Sequence, residues 1–532
     1  MRGDRDGQTW SGVRTLWTDS ALAFWAAGLA SSFVLLAYRI VGRWGLPLDD
    51  GWIHLQFARN LAGGDGLSFE AGRLISGSTA PLWTALVALI TQLPGSPLVW
   101  VLLLGAALSV VSVLLLRRLA RDLGLDRSLA AFAAFLMAST GPLVWAAVSG
   151  LEIPLFVCLS LVATRCHLRD RRQADGVALS LPLFALSALA RPEGLLLLAL
   201  AVLDRALAAR RSAAEPRWRG WVRGSWPGLL LAAAVLAPIA LFNVAVSGSL
   251  LPTTFGAKSG GVVSLMPSLR YLHTVLGILF RAQPYMVLIA GAGALVLIRR
   301  LRREHDRGLL PALWLVALPL AYSCLASSGR PLVGNFGRYH YPLFPFVILL
   351  GCLGLAELRR SVAARGSRRE AVLAFALALL VAWPTLSHLR TTAGQYANSV
   401  RNVEDGDGRT ARWLRDRLPA GATLAVNDIG LVQYLLPRHR LFDLAGIITP
   451  EVHQFTAAAR ARGLPWEAGI ANYLAASRPD YLVVFPSWFP GLLGTEVSFT
   501  PIREFVIDDN IALGGDRIVV YTTPWTRQEL LP

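Results

Sequence analysis

Asp49 and Asp50 are adjacent carboxylates that directly follow the first long apolar run of the chain. That run, from about 21 to 41, is long enough to cross a bilayer, because roughly 20 apolar residues span the hydrocarbon. At its end, two acids would lie at the boundary between water and lipid, where carboxylates can serve as general base or metal ligands. A helix is predicted to follow, and Asp is a common N-cap, so both residues can also simply start a solvated helix.

The composition predicts a polytopic α-helical membrane protein. The chain has 532 residues, of which 54% are hydrophobic and 16% charged, and its mean hydropathy is +0.49. A soluble protein would not carry so many separate apolar runs of membrane-spanning length.

The net charge of +17 does not indicate nucleic acid binding. From 401 to 532 there are 13 Arg against 15 Asp and Glu, a net of −2, which leaves +19 for residues 1 to 400. The excess therefore belongs to the membrane half, where arginines gather in short loops. The positive-inside rule makes those loops cytoplasmic, together with the N-terminus. The groups begin at Arg117, Arg165, Arg205, Arg299 and Arg359.

Placing these loops in the cytoplasm predicts about 11 crossings in a bacterial cytoplasmic membrane, with the C-terminus outside. The run 81 to 93 is too short to cross and is predicted to be a juxtamembrane helix on the outer surface. The segment 177 to 207 is predicted to cross out and back as two short helices that turn at Arg191-Pro192-Glu193-Gly194. The predicted spans lie near 21–41, 98–116, 128–146, 150–164, 177–189, 195–206, 226–247, 284–301, 309–327, 340–357 and 370–387.

The sequence changes character from about Thr391, which divides the chain into a transmembrane domain (1–390) and a periplasmic α/β domain (391–532). Thr410 to Leu418 is predicted to be a helix. Short β-rich runs at 423–426, 481–485, 505–507 and 518–521 predict strands.

The predicted topology brings further polar residues to the outer side. His54 follows Asp50 by one helical turn, which suits a metal ligand as well as a structural histidine. Glu152 comes just after the third span has reached the outside, where it can also cap the next span. Arg191 and Glu193 occupy the hairpin turn. Ionisable residues at membrane depth are costly and usually mark a ligand path, although Arg191 can also form an ion pair that only holds the hairpin.

Lys258 is the only lysine beside 50 arginines, and it lies in a predicted outer loop. Lysine offers a compact point charge that suits phosphate, although a single interfacial lysine needs no role. Arg338 and His340 precede the tenth span and can equally be interfacial residues. Cations of this kind can clamp a phosphate leaving group while a carboxylate removes a proton from an attacking hydroxyl. A lipid-linked phosphosugar would suit such a site.

At these residues the chain resembles the GT-C superfamily of membrane glycosyltransferases, which use polyprenyl-phosphate sugars. It is most similar in style to cell-wall arabinofuranosyltransferases, and more distantly to protein O-mannosyltransferases and the aminoarabinose transferases of lipid A. The matching segments are Leu48-Asp49-Asp50, Thr79-Ala80-Pro81-Leu82-Trp83, Ser149-Gly150-Leu151-Glu152, Ala190-Arg191-Pro192-Glu193-Gly194, Leu251-Pro252-Thr253-Thr254 through Lys258, Arg338 with Pro342, Asn427-Asp428-Ile429-Gly430 and Asp443-Leu444-Ala445-Gly446.

The resemblance implies inversion at the sugar C1, with Asp49 or Asp50 as catalytic base. Asp49 is favoured because the first acid after the first span holds that role in the family. It also implies a donor phosphate held by Arg191, Lys258 and Arg338, with His340 beside them. Glu152, His54 and Glu193 would lie near the acceptor or a metal. Family members differ in their use of a divalent metal such as Mg or Mn, so this cofactor stays open. The acceptor would be a glycan, glycolipid or protein.

Two other classes of function remain open. A transporter or flippase of a lipid-linked or anionic substrate also uses polar groups within broken helices. The sequence shows no obvious inverted repeat, and its polar residues gather at the predicted outer rim, so it favours the glycosyltransferase. A structural or sensory scaffold would need neither the acids nor Lys258.

Overall fold

The computed structural model describes most of the chain and forms a helical domain followed by a small sheet domain. The described residues are 3–172, 176–210, 217–250, 252–254, 266–303, 308–326, 335–362, 368–419, 421–493 and 499–527.

The helical domain contains the predicted apolar helices, most of them longer than the apolar runs themselves. A 3-10 segment, Asn335–Leu343, precedes one of them. In chain order the helices are α1 (Gly3–Val41), α2 (Asp49–Ala62), α3 (Pro81–Ile90), α4 (Pro97–Asp122), α5 (Arg127–Ala138), α6 (Gly141–Ala147), α7 (Ile153–Arg172), α8 (Ser180–Ala190), α9 (Gly194–Arg210), α10 (Arg217–Ser247), α11 (Leu269–Ala282), α12 (Pro284–Arg303), α13 (Leu310–Ala326), α14 (Phe344–Val362) and α15 (Arg368–Val403).

The predicted count of about 11 crossings is not confirmed. Within the described ranges, four helices are long and apolar enough to cross a membrane, or up to six if each of two bent helix pairs is one span. Several predicted spans are shorter helices, including α8 and α13, because polar residues or Pro-containing turns interrupt their apolar runs. The chain is therefore a multi-pass helical membrane protein whose number of crossings stays a prediction.

Two breaks in the helices depart from the sequence prediction. The single span predicted at 128–146 is divided into α5 and α6, which are bent by 62°. α11 was not predicted at all, and it is bent by 111° from α12. Its apolar side is only partly covered, since Leu269 and Leu276 are exposed while Tyr271 and Val275 are buried.

The sheet domain is built on five strands in the order β4-β3-β5-β7-β6. β3 pairs in parallel with β4 and β5, and β7 pairs antiparallel with β5 and β6. α15 runs unbroken past the predicted boundary at 390/391 and leads through a π-helical turn, Glu404–Gly408, into this domain. Its elements are α16 (Arg409–Arg417), β3 (Thr423–Val426), α17 (Gly430–Leu435), β4 (Arg440–Asp443), α18 (Glu451–Ala461), α19 (Trp466–Ser477), β5 (Tyr481–Val484), β6 (Thr500–Val506) and β7 (Arg517–Thr522), and a small hairpin of β1 (Ser68–Glu70) and β2 (Arg73–Leu74) precedes α3.

α2 joins the two domains because its residues belong to both cores. Leu55 is buried among the apolar residues of the helical domain, whereas Phe57 is buried in the core of the sheet domain with Val426. The Trp52 ring lies 5.3 Å from the ring of Tyr434 in α17, measured between centroids. This double packing fixes the start of α2, where the two adjacent acids lie.

Candidate functional site

One interpretation of the sequence was that Asp49 caps its own helix. The structure does not have this cap. Leu48 is the N-cap of α2 and makes no side-chain capping bond. The Asp49 carboxylate instead accepts hydrogen bonds from the backbone N–H groups of Gly430 and Leu431, each at 2.7 Å. A side chain at position 430 would meet the Asp49 Oδ1 atom at 2.7 Å, so the close approach needs glycine. Asp49 therefore connects the helical domain to the start of α17.

Other acids surround this contact in the sheet domain. Burial raises the pKa of Asp49 to about 6, and the charge of Asp50 adds to the rise, while the amides of Gly430 and Leu431 oppose it. Burial also raises the pKa of Asp428 well above its ordinary value, as do the charges of Asp49 and Asp50. Burial and mutual repulsion therefore make these two carboxyls easier to protonate than solvent-exposed aspartates.

Asp50 points to a different partner. Its Oδ1 atom accepts a hydrogen bond from Arg338 Nη2 at 2.9 Å. The Asp50 side chain is 35% exposed, whereas that of Arg338 is 6% exposed. Arg338 Nη1 is buried and has no hydrogen-bond partner among the described residues. The pair thus combines an accessible carboxylate with a buried guanidinium that has a donor to spare.

Arg191 is the centre of a second group of charges. Its Nη1 atom donates to Glu152 Oε1 at 2.6 Å, and its Nε and Nη2 atoms donate to Glu193 Oε1 at 3.1 and 2.5 Å. The Tyr322 hydroxyl in α13 also donates to Glu193. Arg191 follows α8 in extended conformation, and Glu193 directly precedes α9, so the turn brings them together. The hairpin ion pair that the sequence allowed is present here.

His54 joins this group to α2. Its Nε2 atom lies 3.1 Å from Glu152 Oε2, so the Glu152 side chain bridges His54 and Arg191 at the start of α7. Burial acts to raise the pKa of Glu152, but the Arg191 guanidinium and the hydrogen bond to His54 hold that pKa below its ordinary value. Glu152 is therefore ionised at neutral pH.

Tyr339 unites the two arginine groups. The Arg191 guanidinium carbon lies 5.4 Å from the centroid of the Tyr339 ring, and that of Arg338 lies 5.5 Å from the same centroid. Both distances are in the range of cation–π contacts. The structure therefore brings most of the predicted site residues into one cluster, although they come from four separated parts of the chain. The members are Asp50, His54, Glu152, Arg191, Glu193 and Arg338, with Asp49 adjoining them.

His340 and Lys258 are the other two predicted phosphate ligands, and the structure describes only the first of them. His340 is completely buried, and its Nε2 atom lies 3.0 Å from the Tyr271 hydroxyl, with the Tyr322 ring against it. Lys258 lies outside the described residues. Thr253, five positions before it, donates from its backbone N–H and its hydroxyl to the carbonyl of Ser76 at 2.9 Å. This contact ties the start of the Lys258 loop to the loop after α2.

The predicted metal vicinity is occupied by protein contacts. Glu152 is already bonded to Arg191 and His54, and Glu193 to Arg191 and Tyr322. A cation placed between these carboxylates would meet the Arg191 guanidinium. In the ranges that the structure describes, no group of three or more His, Cys, Asp or Glu side chains is arranged to hold a metal. The residues at this position do not fit a metal.

Sequence reasoning missed Tyr322 and the amides of Gly430 and Leu431. A tyrosine inside an otherwise apolar helix was a usable signal for Tyr322, because a buried hydroxyl needs a partner. The amide donors carried no signal of their own, since any residue supplies a backbone N–H.

Comparison with solved structures identifies the fold. The chain superposes on ArnT from Cupriavidus metallidurans in the apo state with a TM-score of 0.60 over 98% of this chain and 99% of that one, at 14% identity. It superposes on the Archaeoglobus fulgidus oligosaccharyltransferase with a TM-score of 0.53 over 86% of this chain and 69% of that one, also at 14% identity. The chain has the GT-C fold.

The shared fold is the one that the resemblance in sequence motifs implied. A family model described as a domain of unknown function (DUF8728) matches residues 392–521, which begin inside α15 and cover the sheet domain. No curated protein matches the sequence. Fold and site geometry are therefore the basis for assigning a function.

Proposed function

We propose that this protein is an inverting membrane glycosyltransferase that transfers a sugar from a polyprenyl-phosphate donor to an acceptor. One observation carries the proposal most directly. On a GT-C fold, Oδ1 of an accessible carboxylate, Asp50, lies 2.9 Å from Nη2 of a buried arginine, Arg338, whose Nη1 atom has no hydrogen-bond partner in the described part of the chain. A base and an anion-binding group side by side are what transfer from a sugar phosphate requires.

Asp50 is the base in this proposal, in place of the first acid of the pair. Both oxygens of Asp49 already accept backbone hydrogen bonds from α17, and its pKa of about 6 reflects its burial. A base must reach the hydroxyl that it deprotonates. Asp50 is one-third exposed, whereas α17 holds both oxygens of Asp49, so Asp50 is the better placed of the two.

The reaction is a single displacement. Asp50 takes the proton of the acceptor hydroxyl while the oxygen of that hydroxyl forms a bond to the sugar C1. The bond between C1 and the phosphate oxygen breaks on the opposite face. The configuration at C1 inverts, and polyprenyl phosphate leaves with the bonding electrons. Arg338 Nη1 would stabilise the charge that develops on this leaving group, because a charge-assisted hydrogen bond is stronger in a buried setting.

The main role of Arg191 in this proposal is to hold neighbouring side chains in place, and not to bind the phosphate. Three of its hydrogen bonds already go to Glu152 and Glu193, so its charge is balanced by two carboxylates. Its shared contact with Tyr339 keeps the ring in place beside Arg338. Lys258 remains the second phosphate ligand in the proposal, because the described charges of the cluster sum to a negative value and a phosphate needs more positive charge.

The proposal places the reaction at the outer face of the bacterial cytoplasmic membrane, with the sheet domain in the periplasm. The support is the predicted side of the arginine-rich loops, which begin at the ends of α4, α7, α9, α12 and α14 opposite the Asp50 cluster. The sheet domain contacts the first loop through Asp49, so it is suited to select the acceptor. One structural neighbour was solved with a tethered acceptor peptide, which makes a protein acceptor one candidate beside glycans and glycolipids.

Mass spectrometry of the lipid retained by purified protein tests the donor class. We expect a polyprenyl-phosphate sugar in the wild-type sample and in Arg359→Gln, whose ion pair with Asp126 is exposed. Arg338→Gln should retain much less, because the phosphate loses its buried donor. Protein that retains no such lipid and transfers no labelled sugar from it would contradict the proposal. Passage of the lipid across vesicles without sugar transfer would favour a flippase.

A further inference from the structure

Asp204 in α9 forms a buried hub at the opposite end of the helices from the Asp50 cluster. Its Oδ2 atom is bonded to His167 Nε2 and Arg171 Nη1 in α7, each at 2.8 Å. Its Oδ1 atom accepts the backbone N–H of Leu309, which directly precedes α13, at 2.9 Å. The side chains of Asp204, His167 and Arg171 are 0–2% exposed. The hub therefore connects three helices in a place that solvent does not reach.

These three helices are the ones that carry the partners of Arg191. Glu152 directly precedes α7, Glu193 directly precedes α9, and Tyr322 lies near the end of α13. At 1.5 Å per residue, Asp204 lies about 16 Å along α9 from Glu193. By the same rise, His167 lies about 22 Å along α7 from Glu152, and Leu309 about 20 Å from Tyr322. Each helix is thus held twice, once by the Arg191 group and once by the Asp204 hub.

We propose that Asp204 is a positioning residue that sets the relative height and rotation of α7, α9 and α13, and so places Glu152, Glu193 and Tyr322 around Arg191. Two fixed points hinder both the sliding and the pivoting of a helix against its neighbours, whereas one fixed point still allows the helix to pivot. A displacement of about 1 Å at a reacting centre can lower a rate about 100-fold. The role of Asp204 in transfer rests on the proposed function, while the mechanical link between the two ends does not.

The geometry around the hub is tight. A Cβ atom at Gly308 would meet Asp204 Oδ2 at 2.7 Å, so the chain entering α13 can approach the carboxylate only with glycine at this position. Gly308→Ala therefore disturbs the hub without removing a charge. Asp204→Asn leaves Arg171 buried without its carboxylate partner, and this cost can prevent folding. Gly308→Ala keeps that ion pair, so it tests the positioning role separately.

Hydrogen exchange in the full chain tests the mechanical link without any substrate. We expect Asp204→Asn and Gly308→Ala to accelerate amide exchange about 10-fold or more at the far ends of the helices, in Ser187–Leu197 and around Tyr322. Asp122→Asn is the matched control, because Asp122 pairs with Arg165 of α7 at the same end in a more exposed setting. It should leave exchange at the far ends unchanged. Acceleration confined to the surroundings of His167, Asp204 and Leu309 would overturn the proposal, and where Asp204→Asn does not fold, Gly308→Ala decides.

Transfer kinetics then test the catalytic consequence. Asp204→Asn and Tyr322→Phe should each lower kcat with the donor KM changed less than about two-fold. The double variant should lose no more than the worse single variant, because both changes displace the same group. Losses that multiply would show that Asp204 has only a local structural role. A wild-type protein without transfer activity would count against the proposed function and leave the exchange result to decide the link.

Discussion

Each end of the helical domain has a polar cluster built around one charged residue, and the two clusters differ in solvent accessibility. Arg191 binds two carboxylates and lies near a tyrosine hydroxyl that binds one of them, and Asp204 binds a histidine, an arginine and one backbone amide. The Asp204 hub is sealed. The Arg191 group instead adjoins Asp50, which is 35% exposed, and Arg338, whose Nη1 atom has no hydrogen-bond partner among the residues that the structure describes.

This difference separates a structural polar cluster from one that can receive a ligand. Buried polar groups are normally fully hydrogen-bonded, so a spare donor on a buried arginine needs an explanation. Both oxygens of the Asp204 carboxylate accept hydrogen bonds, and solvent does not reach them, so the hub is closed to a substrate. Charge alone would have ranked the two clusters equally, and the exposed acid, Asp50, distinguishes them.

Removing the centre of the Arg191 group should have the largest effect on stability. Arg191→Gln leaves Glu152 and Glu193 buried without their cation, which typically costs about 3–5 kcal/mol. We expect a fall in the thermal midpoint of several degrees in detergent, together with loss of transfer. A midpoint equal to that of wild type would show that the two carboxylates have other partners.

Removing the spare donor should affect the donor more than the fold. Arg338→Gln frees an Asp50 carboxylate that is already one-third exposed, so the thermal midpoint should change little. The donor KM should rise about 10-fold to 100-fold, consistent with the loss of a charged hydrogen bond of about 1.5–3 kcal/mol. If Arg338→Gln lowers stability as far as Arg191→Gln does and leaves the donor KM constant, Arg338 is a structural residue like Arg191 and does not bind the donor.

The contact between the domains should respond to pH. The folded-state pKa of Asp49 and of Asp443 is about 6 in each case, raised by burial from the ordinary value of 3.8. The folded protein therefore binds these protons more tightly than the unfolded chain, and stability increases as pH falls from about 7 through 6. The thermal midpoint should be higher at pH 5.5 than at pH 7.5.

Asp49→Asn tests the source of this pH response. The variant cannot titrate at position 49, so the rise in midpoint between pH 7.5 and 5.5 should become smaller. Asp65→Asn is the control, because Asp65 is an exposed acid that follows α2 by three residues. Equal pH responses in wild type and in Asp49→Asn would assign the effect to other acids of the sheet domain.

Exposed ion pairs should contribute least. Arg359 pairs with Asp126 at 3.1 Å, but both side chains are more than half exposed, and such pairs contribute about 0–1 kcal/mol. Arg359→Gln should leave both the thermal midpoint and transfer within error of wild type. A loss comparable to that of Arg191→Gln would mean that burial does not explain the ranking.

The sequence predicted what is local. Apolar runs predicted most helices of the membrane half, and short β-rich runs predicted β3, β5, β7 and the end of β6, whereas β4 was not predicted. Helix ends were less predictable, since α15 continues to Val403, well past its apolar run. α11 was missed because its apolar and polar residues alternate as on a surface helix instead of forming one long run.

The sequence predicted which residues gather at the site, but it did not predict which of them contact each other. Topology alone brought Asp50, Glu152, Arg191 and Arg338 to one end of the molecule. It could not show that Asp49 accepts amides about 380 positions later in the chain. That contact depends on how the sheet domain packs on α2, which local patterns do not encode. The sequence therefore favoured Asp49 as base, whereas the geometry favours Asp50.

A single-turnover transfer assay with labelled polyprenyl-phosphate sugar, run on wild type, Asp50→Asn, Asp49→Asn and Asp65→Asn, tests the central claim most directly. Loss of a general base typically lowers the rate about 10²-fold to 10⁴-fold, so Asp50→Asn should lose that much while Asp65→Asn keeps the wild-type rate. Asp49→Asn should lose less, because Asp49 holds the domains together and does not take the proton. An Asp50→Asn variant that transfers sugar as fast as wild type would contradict the account.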